Sequence, residues 1–174
     1  MNLSKILLKL LAVILIYTPF SSHALENDCV LLVYDRFSDD GPKSTSTSPE
    51  IFKQHLEYLK NNNYSVLPLK NVISSLQSKE SLPSNCISLT ADDGFLSIYT
   101  EAYPLLVEYQ FPMSVFVSTN PIDKKYASMM TWSQLREMAP LVDIYNHSVN
   151  HLHLVNQSAQ IIEDEILSAQ ERIA

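Results

Sequence analysis

Hydrophobic and polar positions alternate between two rhythms along this chain. Short apolar runs at 29–35 (CVLLVYD), 64–67, 86–90 (CISLT), 113–118 (MSVFVS) and 142–145 read as buried strands. Between them lie stretches with helical spacing. Ser48-Pro49-Glu50 supplies a hydroxyl N-cap, a first-turn proline and an acid near the positive helix end. That helix is expected to bury Ile51, Phe52, Leu56 and Leu59 and to end at 61–63. A short helix is expected over 72–77. The 97–109 helix holds Pro104, so a kink is expected there. Thr131-Trp132-Ser133-Gln134 opens another, running to about Met138. The last helix, 158–173, sets Ile161, Ile162, Ile166, Leu167 and Ile173 on one side, which leaves 163–165 as its solvated face. Strands separated by helices imply βα units and a mainly parallel sheet. In such folds the chemistry sits at the carboxyl ends of the strands.

The opening segment follows a different logic. Lys5 and Lys9 precede an apolar run at 10–20, and Ser22-His23-Ala24 ends in small residues suited to a cleavage site. Residues 1–24 therefore read as a secretory signal and 25–174 as a single domain. The run is shorter than the roughly 20 residues of a membrane span. An uncleaved anchor lengthened by residues 6–8 is the alternative.

Composition narrows the function classes. The chain has 174 residues, 46% of them hydrophobic and 18% charged, which excludes long disorder. Its net charge of −7 argues against nucleic acid as a partner, since phosphate binding requires clustered Lys and Arg. Export permits a disulfide between Cys29 and Cys86, the only two cysteines. Both stand at the start of strand-like runs, so neighbouring parallel strands would bring them together. Two small buried hydrophobes are the other reading. There are only two glycines, Gly41 and Gly94, and the second sits at the end of a strand beside two acids.

Two polar clusters follow strands. The first is Thr90-Ala91-Asp92-Asp93-Gly94. Adjacent carboxylates repel, and burying either is costly without a cation or hydrogen bonds. By itself the group reads as an ordinary polar loop with a capping acid. The second is Asn146-His147-Ser148-Val149-Asn150-His151, in which the imidazoles stand four residues apart and would share one side of a helical turn. By themselves these histidines could simply be exposed or capping. Together the clusters should emerge on one sheet edge. Two imidazoles plus one carboxylate make a three-ligand site with open positions, as in catalytic zinc sites. The remaining carboxylate is then free to act as a general base.

The same residues resemble a known family. Residues 90–94 are similar to the T-F-D-D-G motif of polysaccharide deacetylases with a NodB-homology domain, and 147–151 match their H-[ST]-x-x-H motif. Residues 97–106 and 130–138 are especially similar to the exported branch acting on poly-N-acetylglucosamine-type exopolysaccharide of biofilms. The resemblance implies a distorted (β/α) barrel. It implies Asp92 as general base, and Asp93, His147 and His151 as ligands of a divalent metal, zinc foremost, with cobalt or nickel as alternatives. The implied reaction is hydrolysis of a sugar N-acetyl group on an N-acetylated polysaccharide, in the periplasm or outside the cell. Substrate-binding residues are not identified, and neither is the oligomeric state.

Departures from the pattern set a competing expectation. Ala91 replaces an aromatic, which thins the packing behind the acids. Tyr34-Asp35 stands where Tyr-His is usual, and Tyr145 replaces a glycine, pointing to crowding at the metal. The family's later Arg-Pro segment and late histidine have no counterpart before Ala174, so the barrel is expected to be incomplete at its C-terminus, with an exposed edge strand. The alternative function is a non-catalytic relative that binds metal or glycan without turnover. A magnesium phosphatase built on Asp92 and Asp93 would leave the histidines unused, because magnesium prefers oxygen ligands.

Overall fold

The computed structural model describes residues 28–174; the expected export signal, 1–24, lies outside the described residues. The chain forms strands β1 (Val30–Tyr34), β2 (Arg36–Phe37) and β3 (Ser46–Thr47), helix α1 (Pro49–Asn61), strand β4 (Ser65–Val66), helix α2 (Leu69–Ser78) and strand β5 (Cys86–Ala91). A π-helical turn (Ile98–Ala102) leads into α3 (Tyr103–Tyr109), β6 (Met113–Val117), α4 (Thr119–Asp123), α5 (Trp132–Met138), β7 (Val142–Asn146) and α6 (Ala159–Ile173). The kink expected from Pro104 is realised as this π turn, after which Pro104 occupies the first turn of α3.

The main sheet is parallel throughout, in the order β1-β5-β6-β7. Ile87 pairs with both Val30 and Val66, so β4 occupies the edge of β5 opposite β1, and β6 takes over that edge from Leu89 onward. This is the α/β architecture that the strand–helix alternation implies. Among the described residues the sheet stays open rather than closing into a barrel, with β1 and β7 at its two ends. Val30 and Val33 on β1 are more than half exposed. No described helix is long and apolar enough to cross a membrane.

Burial follows from strand position. Central β5 is buried at all six residues, and Val115 and Val117 of β6 are fully buried beside it. Helix α1 covers the sheet with Phe52, Leu56 and Leu59, and its N-cap Ser48 accepts from Ile51 N–H at 3.2 Å. Ile51 is exposed, in contrast to the expected stripe, because it lies in the first turn and off the face that holds Phe52 and Leu56. Helix α5 starts with a reciprocal capping box between Thr131 and Gln134. Helix α6 departs most from expectation. It buries Glu165 and Ala169 and leaves Ile161, Ile162, Ile166 and Leu167 exposed. Its inward face is selected by hydrogen bonds to the β7 end, where Asn146 Nδ2 donates to the Ile166 carbonyl at 2.8 Å.

Cys29 and Cys86 are joined by a disulfide with Cα atoms 4.7 Å apart. It ties the start of β1 to the start of β5. Both strands run in register from there to the opposite edge, where Tyr34 pairs with Ala91.

Candidate metal centre

That opposite edge carries the polar clusters. Asp92 N–H donates to the Tyr34 carbonyl at 2.9 Å and extends the β1–β5 ladder by one residue. The chain then turns sharply, with Gly94 N–H donating to the Asp92 carbonyl at 2.9 Å. Asp93 and Gly94 both have positive φ, 68° and 86°. A Cβ at Gly94 would stand 3.1 Å from Val117 Cγ1, so glycine serves both the turn and the close approach to β6.

The histidine motif leaves β7 in a similar way. His147 N–H donates to the Val117 carbonyl at 3.0 Å. The Ser118 hydroxyl donates to the His147 carbonyl, and the Ser148 hydroxyl accepts from His151 N–H, each at 3.0 Å. Residues 147–151 form a loop rather than the helical turn their spacing suggested. Ser148 and His151 adopt left-handed φ values of 67° and 55°, and this winding brings the two rings to a centroid separation of 4.7 Å.

The loop and the turn converge. His147 Nε2 and His151 Nε2 each lie 3.6 Å from Asp93 Oδ1, and the three donor atoms lie within 4.8 Å of one another. A distance of 3.6 Å is long for a hydrogen bond. Two ligands at about 2.1 Å from one tetrahedral ion would stand about 3.4 Å apart. The spacing therefore suits donors around a common ion, and a two-nitrogen, one-oxygen set suits zinc better than magnesium. Among the described residues Asp92 is outside this cluster, and His153 is exposed and also outside it. Tyr145 stacks on Phe116, its cross-strand partner in β6, with ring centroids 5.3 Å apart. Ala91 is fully buried between Tyr34 and Val115 in the ladder.

Burial pushes the Asp92 carboxyl above its ordinary value; the nearby histidines oppose that rise, and Asp35 and Asp93 reinforce it. Asp35, which follows β1, is raised by its own burial and by Asp93. It is a third acid at the same edge. The strand-end rule that selected Asp92 applies equally to Asp35, and could have identified it. A cleft of about 600 Å³ is lined by residues including Arg36, Asp39, Phe95 and Glu101; Asp35, Asp92, Asp93 and the two histidines are not in its lining. The Arg36 guanidinium lies 4.0 Å above the Phe95 ring, and both line this cleft.

His55 shares a hydrogen bond with the Tyr34 hydroxyl at 3.0 Å and is not part of the Asp93, His147 and His151 cluster. Trp132 donates to Asp123 at 2.7 Å and stacks under Arg172. Met129 and Met130 are buried packing residues.

The chain is 28% identical over 143 residues to the poly-beta-1,6-N-acetyl-D-glucosamine N-deacetylase of Escherichia coli (strain K12), covering 73% of this chain and 21% of that protein. It is 25% identical over 123 residues to the enzyme of the same name from Staphylococcus aureus (strain MSSA476), covering 67% of this chain and 42% of that one. The Streptococcus pyogenes deacetylase PplD, solved in complex with acetate, superposes with a TM-score of 0.75 at 27% identity, covering 82% of this chain and 66% of that one. The chain spans less than half the length of the curated relatives it matches. The profile of the family described as "Polysaccharide deacetylase" matches residues 79–174, a span that takes in both the paired acids and the histidine loop, and the chain belongs to that family.

Proposed function

We propose that residues 25–174 act as an exported, metal-dependent polysaccharide N-deacetylase domain, with poly-N-acetylglucosamine as the preferred class of substrate. The observation that carries this reading is the convergence of Asp93, His147 and His151 beside an uncommitted Asp92. The first three would hold the cation, zinc by donor type, with cobalt or nickel as substitutes. Bound there, the cation supplies Lewis-acid polarisation of the acetamide carbonyl and of water. Asp92 takes a proton from the attacking water as the new C–O bond forms. It returns that proton to nitrogen as the C–N bond breaks, which yields acetate and the free amine. The cleft lined by Arg36 and Phe95, close in sequence to Asp35 and Asp93, has the volume for a sugar unit. An export signal at 1–24 would place the enzyme where exopolysaccharide is found.

The zinc-loaded protein is expected to release acetate from β-1,6-linked N-acetylglucosamine oligomers. Asp92→Asn should lower that rate by about 10²–10⁴-fold without loss of metal. Metal bound to a folded chain with no acetate released would favour the second reading, a relative that binds metal or glycan without turnover. That reading draws on Ala91 and Tyr145, which depart from the family pattern beside the two polar clusters.

A further inference from the structure

Helix α6 places one carboxylate where helix amphipathicity alone would place an aliphatic side chain. Glu165 is 5% exposed, and among the described residues it has no cationic partner within ion-pair distance. A buried carboxylate requires donors. Here the donors come from the histidine loop. Asn150 N–H donates to Glu165 Oε2 at 2.7 Å, and Asn150 Nδ2 donates to the other carboxylate oxygen. Val149 N–H donates to the Glu165 carbonyl at 3.0 Å. Residues 149 and 150 lie between the two histidines, so Glu165 grips the part of the loop that sets their relative position.

The opposite side of the loop is held by the segment after β6. Thr119 N–H donates to the Ser148 carbonyl at 3.2 Å, Asn120 N–H to the Val149 carbonyl at 2.9 Å, and Asn120 Nδ2 to Asn150 Oδ1 at 2.6 Å. Asn150 is therefore clamped between α4 and α6. The carboxylate is the only charged member of the clamp.

We propose that Glu165 is a positioning residue for the metal centre: through Val149 and Asn150 it fixes the left-handed turn that aims His147 Nε2 and His151 Nε2 at Asp93. The role rests on the metal-site reading above. Partners that orient ligands in this indirect way typically alter metal affinity about 10–100-fold when removed.

The test compares zinc affinity by calorimetry, and the visible spectrum of the cobalt(II) form, in wild type, Glu165→Ala, Glu165→Gln, Glu163→Ala and His147→Ala. Glu163 is an exposed residue of the same helix and controls for general effects on α6. In the folded protein, Glu165→Ala is expected to bind zinc about 10–100-fold more weakly and to shift the cobalt spectrum, whereas Glu163→Ala should match wild type. Glu165→Gln keeps one acceptor for Asn150 N–H and should fall between. If zinc affinity is lost in His147→Ala but keeps its wild-type value in Glu165→Ala, the positioning role is overturned and the metal site stands. If His147→Ala leaves zinc affinity unchanged, the metal-site reading fails and this inference with it. Should Glu165→Ala not fold, Glu165→Gln decides alone: weakened zinc binding with a shifted spectrum supports the role, and wild-type values refute it.

Discussion

Single backbone positions carry much of the site. Asp93, Ser148 and His151 all sit at positive φ, where side chains other than glycine cost of order 1 kcal/mol or more unless their surroundings hold them. Gly94 relieves that demand at the tightest point, between the acids and Val117. Gly94→Ala should destabilise the fold by about 1–2 kcal/mol, because alanine tolerates φ near +86° poorly and its methyl would press on Val117. Urea unfolding measures this directly. A midpoint equal to that of wild type would show that the turn can relax without cost. Sequence reasoning could find Asp92, Asp93, His147 and His151, since each follows an apolar strand. It could not find the winding of the loop. Ser148 does not advertise left-handed backbone, and an i, i+4 histidine pair suggests a helical turn by default.

Among the elements, helix boundaries are far more legible than helix orientation. Ser48, Thr131 and Ser158 all cap helices through hydroxyl acceptors, and local chemistry alone marks those starts. The five-residue α4, with Pro121 inside, is too short to leave a periodic signal. Helix α6 shows why orientation is hidden. Its isoleucine stripe outweighs Glu165 and Ala169 in hydropathy, yet long-range hydrogen bonds to residues 146–150 decide which side turns inward. Its far end is fixed by Arg172, which makes two-pronged contacts to Asp123 of α4 at 2.7 and 3.0 Å and stacks on Trp132 of α5. Hydrogen bonds from Arg172, against a smaller effect of burial and aided by Trp132, hold the Asp123 carboxyl below its ordinary 3.8. The unfolded chain therefore binds more protons at Asp123 than the folded one. The resulting stabilisation is complete above about pH 3.8 and fades as pH falls towards the lower folded-state value. Wild type should melt at a higher temperature than Arg172→Leu near neutral pH, and the gap should narrow below pH 3.8. A gap unchanged down to pH 2 would mean that stacking on Trp132, not the ion pair, anchors this end of the helix.

At the scale of the molecule, one parallel sheet separates two tasks. The disulfide closes a segment of 57 residues that includes α1, β4 and α2. Loop-closure entropy for a ring of that size suggests roughly 4 kcal/mol of stabilisation. Cys29→Ser with Cys86→Ser should lower the urea midpoint accordingly, and equal midpoints would show that the sheet alone sets the stability. The parallel pairing was implicit in the alternation of strands and helices, but the strand order was not, since β1 pairs with β5 rather than with a strand nearer in sequence. The free edge at β1 follows from the same topology, since nothing among the described residues pairs with its outer side.

The staple and the donors stand at opposite ends of the same strand pair. Six residue steps along β5 lead from Cys86 to Asp92, a span of about 20 Å at the usual rise per residue. On the proposed metal-site reading, thiol reductants and chelators would act on this molecule by independent routes: one loosens the scaffold from below, and the other empties the rim of a scaffold that stays clasped. A preparation inactivated by one agent should remain sensitive to the other, and restoring metal would rescue only the second kind of damage.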